Sequence, residues 1–218
     1  MEKRKWKAVC LDFDGTIADT SPGVKGSILY ALEKYGIPVG DTSKLDLFLG
    51  PPLYESFASV YGTDEKLSEA LVNTYREYYN VKGKYELEFY PGMPELIKEM
   101  AERGIPVAVV SSKPKIYLDQ ILEHFSMEGF FRTVVGPELE NRNSSKARPV
   151  REAVSDMNLE ISKNILMVGD RFYDILGAKD AGVSSAAVTF GFGSLDELEK
   201  AGPDFIARDA ETLSKIIF

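Results

Sequence analysis

The chain has one cysteine and one histidine in 218 residues, and each scarcity closes off a class of function. A single cysteine, Cys10, cannot build a disulfide framework and suits a reducing compartment. A single histidine cannot furnish a centre that needs several imidazoles; His124 sits beside Phe125 in a helical stretch and reads as structural. Positive charge is also short, since 26 Lys and Arg against 34 Asp and Glu leave a net charge of -8. No basic face is then available to neutralise a nucleic acid or an anionic membrane. No stretch reaches the ~18 apolar residues that a membrane span needs. The charged leader Met1-Glu2-Lys3-Arg4-Lys5-Trp6-Lys7 precedes an apolar run too short for a signal-peptide core. No Gly-Xaa-Xaa-Xaa-Xaa-Gly-Lys-Ser/Thr loop is present, so a P-loop nucleotide site is excluded. These absences lead to the expectation of a soluble cytoplasmic protein. Its 44% of hydrophobic residues can fill the core of one sizeable domain, with or without a smaller insertion.

What the sequence does contain is organised around Ala8-Val9-Cys10-Leu11-Asp12-Phe13-Asp14-Gly15-Thr16. The continuous apolar run 8–11 predicts a short, fully buried strand that ends in two carboxylates one residue apart. Gly15 supplies a residue that tolerates positive φ where the chain must turn away. In an open α/β sheet the carboxyl ends of strands are where ligand crevices form. Asp12 and Asp14 could there hold a hard divalent cation such as Mg²⁺. They could also divide covalent catalysis, one as nucleophile and one moving a proton. The plain alternative is a solvated acidic turn.

After this motif the pattern is helical. Thr20-Ser21-Pro22 reads as a helix start, with Thr or Ser as cap and Pro in the first turn. Ile28, Leu29, Leu32 and Tyr35 are expected on one face, and Gly36 with Pro38 ends the helix. Pro52 opens a second helix through Phe57 to Gly62, and a third spans about 64–80. From Tyr90 the rhythm changes to strand and helix in alternation. Strands are expected at 105–110, 133–135, 165–168, 186–189 and 204–206. Helices are expected at 93–103, 114–125, 148–157, 174–181, 195–201 and 212–217. This is the pattern of a parallel sheet with helices on both faces. The first strand belongs with that later part, so the stretch 20–88 is an all-helical insertion placed directly after the acidic motif. A lid over a site would sit there.

Two of the later strands also end in polar residues. Val107-Ala108-Val109-Val110 runs into Ser111-Ser112-Lys113-Pro114, and Ile165-Leu166-Met167-Val168 into Gly169-Asp170-Arg171-Phe172-Tyr173-Asp174. Between them Lys146 stands in Asn143-Ser144-Ser145-Lys146-Ala147-Arg148-Pro149. In that order, Asp-Xaa-Asp-Gly-Thr, a strand-end Ser, a helix-start Lys and Gly-Asp-Xaa-Xaa-Xaa-Asp resemble the four motifs of the haloacid dehalogenase (HAD) superfamily. The resemblance spans nearly the whole chain. It implies an α/β Rossmann-like core from residues 1–19 and 89–218, and a small helical cap from 20–88. It departs from the commonest pattern at Ala147, where proline would directly follow the lysine. The stretch from Gly177-Ala178-Lys179 to Gly191-Phe192-Gly193-Ser194, with Asp196-Glu197-Leu198, resembles the branch of phosphoglycolate phosphatases and 5'-nucleotidases.

The resemblance also implies roles. Asp12 would be the nucleophile that forms an aspartyl-phosphate, and Asp14 the general acid and then base. Asp12, the backbone carbonyl of Asp14, and Asp170 would hold Mg²⁺, with Asp174 as a further metal-site carboxylate that orients the others or acts through water. Ser111 and the N–H of Ser112 would bind the phosphate, although alone Ser111 reads as a helix cap. Lys146 would supply fixed positive charge, although alone it reads as a solvated surface lysine. Arg171 either reaches an anionic leaving group or pairs with Asp174 or Asp170. The activity implied is a Mg²⁺-dependent phosphatase acting on a small phosphorylated metabolite, as a monomer or homodimer without nucleic-acid or membrane partners. True dehalogenases of the family lack the second aspartate, so Asp14 favours phosphoryl transfer. A cysteine phosphatase is excluded because no arginine follows Cys10 closely. A sugar-phosphate mutase of the same family and a non-catalytic metabolite-binding protein are the alternatives.

Overall fold

The computed structural model describes residues 5–139 and 146–218. By its contacts the chain divides into two compact units, Met1–Asp19 with Phe89–Phe218, and Thr20–Glu88. The strands and helices are numbered together along the chain, as β1 (Ala8–Leu11), β2 (Ala18–Asp19), α1 (Ser21–Lys34), α2 (Leu53–Tyr61), α3 (Glu65–Val81) and β3 (Glu88–Phe89). There follow α4 (Met93–Glu102), β4 (Val107–Val110), α5 (Lys115–His124), β5 (Thr133–Val135) and α6 (Ala147–Asp156). The chain ends with β6 (Ile165–Gly169), α7 (Phe172–Ala181), β7 (Ser184–Val188), α8 (Leu195–Ala201), β8 (Phe205–Ala207) and α9 (Ala210–Ile217).

The first unit is built on a six-stranded sheet in the order β5-β4-β1-β6-β7-β8, in which every pairing is parallel. This is an α/β Rossmann-like fold. Strands covered on both faces read as continuous apolar runs, and β1, β4 and β6 are buried at every position. Side chains still alternate between the faces. Ala8, Cys10, Ala108, Val110, Ile165 and Met167 form one core cluster with Val150, Ala153 and Val154 of α6 and Ala178 of α7. A smaller cluster joins Ile175 to Ala187, Leu198 and Ala201.

The strand order places the site. The chain runs outward from β1 through β4 to β5, then returns to β6 on the other side of β1, so the order reverses at β1. Because the strands are parallel, β1, β4 and β6 all end at one sheet edge, with Leu11 level with both Val109 and Val168. Asp12, Ser111 and Asp170 each follow within a residue of those ends. Ligands bind at such reversals, outside the carboxyl ends of the strands.

The second unit contains α1, α2 and α3, together with a 3₁₀ segment Thr42–Phe48 that the helical periodicity did not predict. Ile28, Ala31 and Leu32 of α1 are buried, whereas Leu29 and Tyr35 are exposed. Leu29 lies about 100° around the helix from Ile28, so the two cannot share one face. Thr20 occupies the cap position of α1 but makes no side-chain capping bond, whereas Asp64 caps α3 by accepting from the N–H of Leu67 at 2.8 Å.

Candidate active site

Asp12 leaves β1 with its backbone N–H donating to the Val168 carbonyl of β6 at 2.9 Å, so the sheet register continues into the motif. Its side chain is buried. Lys146, which caps α6, is buried as well, and its ammonium donates to Asp12 Oδ1 at 2.7 Å and to the Val110 carbonyl at 3.1 Å. The same nitrogen lies 3.0 Å from Asp174 Oδ1, an ion-pair contact without hydrogen-bond geometry. Lysine 146 is therefore no surface residue, and Gly177 of α7 explains how it fits. A side chain at Gly177 would collide with the Lys146 Cβ, so only glycine lets α7 close on the start of α6. Asn143, Ser144 and Ser145 lie outside the described residues.

Asp170 is fully buried after β6, and both of its oxygens are engaged. Thr16 Oγ1 donates to Oδ1 at 3.2 Å, and the backbone N–H of Phe192 donates to Oδ2 at 2.7 Å. Gly15, at φ 81°, sits so close that a Cβ there would strike the Asp170 carboxylate. Asp174 lies in the first turn of α7, which starts two residues earlier than the sequence pattern predicts because Phe172 already has helical backbone. Its Oδ2 accepts from the Arg171 N–H at 3.1 Å, which satisfies an otherwise orphaned donor at the helix start.

Three of the four aspartates singled out in the sequence thus converge. Ligand oxygens of Asp12, Asp170 and Asp174 lie within 4.8 Å of one another, and all three residues are buried. Asp14 stands apart, with its Oδ1 2.8 Å from the ammonium of Lys113. Burial pushes the Asp12 carboxyl up to about 6, with the charges of Asp174 and Asp14 adding to the rise and Lys146 opposing it. Burial, then the charges of Asp12 and Asp174, hold Asp170 well above the carboxylate range despite its two hydrogen bonds. Burial works against the charge on Lys146, but Asp12 and Asp174 outweigh it and hold its pKa above the usual lysine value. Three buried carboxylates gather beside one ammonium that pairs with Asp12 and Asp174, a negative surplus that a hard divalent cation would neutralise with the oxygen donors it prefers. The residues present fit Mg²⁺.

Ser111 is buried, and it does not cap α5, whose cap position is Pro114. Its hydroxyl accepts from the Lys113 N–H at 3.2 Å, and Ser112 is exposed in the same loop. The Arg171 side chain has an acceptor that the sequence did not suggest. Its Nε donates to Glu197 Oε1 at 2.9 Å, and that oxygen also accepts from the Phe172 N–H at 3.0 Å. Sequence reasoning missed Lys113, Thr16, Glu197 and the Phe192 N–H as parts of this site. For Lys113 a signal existed, since it follows a strand-end serine by two residues.

Residues 9–188 match the haloacid dehalogenase-like hydrolase family. The chain belongs to that family. It is 35% identical to a 5'-nucleotidase of Pseudomonas aeruginosa over 98% of its own length and 96% of the relative. It is 30% identical to the pyrophosphatase PpaX of Halalkalibacterium halodurans, covering 96% of this chain and 95% of that one. A predicted phosphatase of known structure from Clostridium acetobutylicum superposes with a TM-score of 0.87 at 37% identity, covering 97% and 98% of the two chains. These relatives mark it as a phosphatase of the HAD type. Among the described residues no helix is long and apolar enough to cross a membrane.

Proposed function

We propose that this chain is a cytoplasmic, Mg²⁺-dependent phosphomonoester hydrolase acting through an aspartyl-phosphate, with a small phosphorylated metabolite as substrate. The observation that carries this reading is the buried convergence of Asp12, Asp170 and Asp174 at the sheet's switch point, with Lys146 paired to Asp12 and Asp174. Asp12, Asp170 and Asp174, with the backbone carbonyl of Asp14, would hold the cation. When bound, Mg²⁺ supplies positive charge that offsets carboxylate and phosphate together.

Asp12 is the nucleophile on this reading. With its carboxyl at about 6 it is mostly ionised at neutral pH, and a carboxylate oxygen attacks phosphorus as the bond to the leaving oxygen breaks. Asp14 gives its proton to that oxygen, then takes one from the water that hydrolyses the aspartyl-phosphate. Lys146 holds Asp12 in place and contributes fixed charge against the developing negative charge on the transferring group. Ser111 and the Ser112 N–H are the phosphate donors. Residues 1–19 and 89–218 serve as catalytic core and 20–88 as a helical cap whose closure excludes water.

The activities of the relatives narrow the panel for the test. Phosphate release would be followed with and without Mg²⁺ from nucleoside 5'-monophosphates, phosphoglycolate, sugar phosphates and inorganic pyrophosphate, with Asp12→Asn as control. Mg²⁺-dependent release that the variant lacks is expected, and the ranking of kcat/KM names the substrate. An isomerised sugar phosphate in place of free phosphate would identify a mutase instead. Silence across the panel would sink the hydrolase reading.

A further inference from the structure

The two hydrogen bonds that hold the Asp170 carboxylate come from segments far apart in the chain. Thr16, which donates to Oδ1, sits in the turn after β1, where the N–H groups of Thr16, Ile17 and Ala18 all donate to the Phe13 carbonyl. Phe192, whose N–H donates to Oδ2, sits in the loop between β7 and α8. That loop lies flat on Asp170. A Cβ at Gly191 would strike the Gly15 carbonyl and the Asp170 side chain, and one at Gly193 would strike the Asp170 carbonyl. Glycine permits this approach but brings no side chain to hold it.

Phe190 gives the loop an anchor. Its ring packs on Tyr90 with centroids 4.9 Å apart and planes at 55°, within the range of favourable aromatic pairs. Tyr90 is fixed in turn, because its N–H donates to the Ile17 carbonyl at 3.1 Å and its carbonyl accepts from the Met93 N–H at 3.0 Å. Tyr90 thus meets the Thr16 turn through its backbone and the Phe192 loop through its ring. Burial, then the charges of Asp19, Asp170 and Asp14, hold its phenol above the usual tyrosine value, so the side chain stays neutral beside these acids. All of these residues belong to the first unit.

We propose that Tyr90 is a positioning residue for Asp170, acting through Phe190. The ring pair keeps the loop down on the carboxylate, so that the Phe192 N–H and the Thr16 hydroxyl fix the rotamer in which Asp170 meets Asp12 and Asp174. A carboxylate already held in one orientation gives up little freedom on taking a cation, whereas one that swings must first be ordered. Without the ring the loop can lift, the 2.7 Å bond from the Phe192 N–H loosens, and Asp170 gains rotamers that do not face the other two carboxylates.

This inference rests on the Mg²⁺ site of the function proposed above, and Mg²⁺ binding measured without substrate separates the two. Mg²⁺ would be titrated calorimetrically into the wild type, Tyr90→Ala, Tyr90→Phe and Phe190→Ala. Each alanine variant is expected to raise the Mg²⁺ Kd by about 10-fold, the double variant by no more than either alone, and Tyr90→Phe by less than about threefold. In turnover the alanine variants should need correspondingly more Mg²⁺ for half-maximal rate, with kcat and substrate KM at saturating Mg²⁺ within about threefold of the wild type. Circular dichroism checks that each variant is folded. Phe190→Leu, which keeps apolar bulk and removes the ring, decides the matter where an alanine variant does not fold, and a raised Kd is expected of it too. A lowered metal-free melting temperature with an unmoved Mg²⁺ Kd would make the ring pair merely structural and overturn the inference while the phosphatase reading stands. Tyr90→Phe as impaired as Tyr90→Ala would also overturn it, by assigning the effect to the hydroxyl. A wild type that binds no Mg²⁺ would overturn both.

Discussion

Lys146 and Asp12 form an ion pair at 2.7 Å in which the lysine is 4% and the aspartate 9% exposed. Taking charges this far from water is costly, and such a pair is retained only where its neighbours complete it. Here the neighbours are Asp174 and the Val110 carbonyl. Lys146→Met removes the ammonium and leaves the buried carboxylates facing one another. We expect a loss of about 3–5 kcal/mol in the metal-free protein by urea unfolding, the usual cost of breaking a buried pair. Part of this should return on adding Mg²⁺, while kcat stays down by about 10²–10³-fold. A stable, Mg²⁺-indifferent variant would contradict this account of the charge balance.

The raised pKa of Asp12 makes stability depend on pH in a stated direction. The folded carboxyl holds its proton up to about 6, against 3.8 for the ordinary group, so between these values unfolding releases a proton. Stability contributed by the protonated form is complete below 3.8 and is lost as pH rises through about 6. A shift of this size corresponds to roughly 3 kcal/mol. Mg²⁺ needs the ionised carboxylate, so its stabilisation should grow over the same window. Melting temperatures in EDTA and in Mg²⁺ from pH 5 to 8 check both halves. The EDTA series should fall with pH while the gap between the two series widens, and a gap constant across the range would exclude the metal from this carboxylate.

Gly177 tests how α7 holds the lysine in place. A Cβ there meets the Lys146 side chain and backbone, neither of which can retreat far inside a buried site. Gly177→Val is expected to cost about 1–3 kcal/mol by overpacking and to lower kcat out of proportion to KM, because it moves the ammonium rather than the substrate. Circular dichroism would establish that the sheet is retained. A change confined to KM would place the effect elsewhere.

How much of this was visible in the sequence depended on where each residue lay. Asp12, Ser111 and Asp170 were legible because continuous apolar runs mark their strands and parallel strands must end at one edge. Lys146 was legible only through the family pattern, since nothing local distinguishes a buried helix-start lysine from a solvated one. Thr16 was not assigned a role because its partner Asp170 is 154 positions away. Glu197 and the Phe192 N–H were hidden for the same reason, with partners 25 and 22 positions away across the β7 crossover. Leu29 was misplaced on the buried face of α1 because hydrophobicity was counted without the helical angle. The 3₁₀ segment at Thr42–Phe48 has too few turns to show a period.

Glu197 holds the arginine whose role the sequence left open. Glu197 Oε1 accepts from both the Arg171 Nε and the Phe172 N–H, so it fixes the turn that carries Asp170 into α7. Both side chains are about one-fifth exposed, and a pair of that kind is worth at most about 1 kcal/mol by itself. Its value lies in orienting Asp170 and Asp174, and removal of residues that orient metal ligands weakens metal binding by roughly 10–100-fold. Glu197→Ala is therefore expected to raise the Mg²⁺ concentration required for half-maximal activity by about 10-fold, with little change in substrate KM at saturating metal. Arg171→Ala should produce the same pattern more weakly, since the Phe172 N–H keeps its acceptor. If Arg171→Ala instead raises substrate KM and leaves the Mg²⁺ requirement unchanged, the guanidinium contacts the leaving group, and its bond to Glu197 is a resting position rather than its working one.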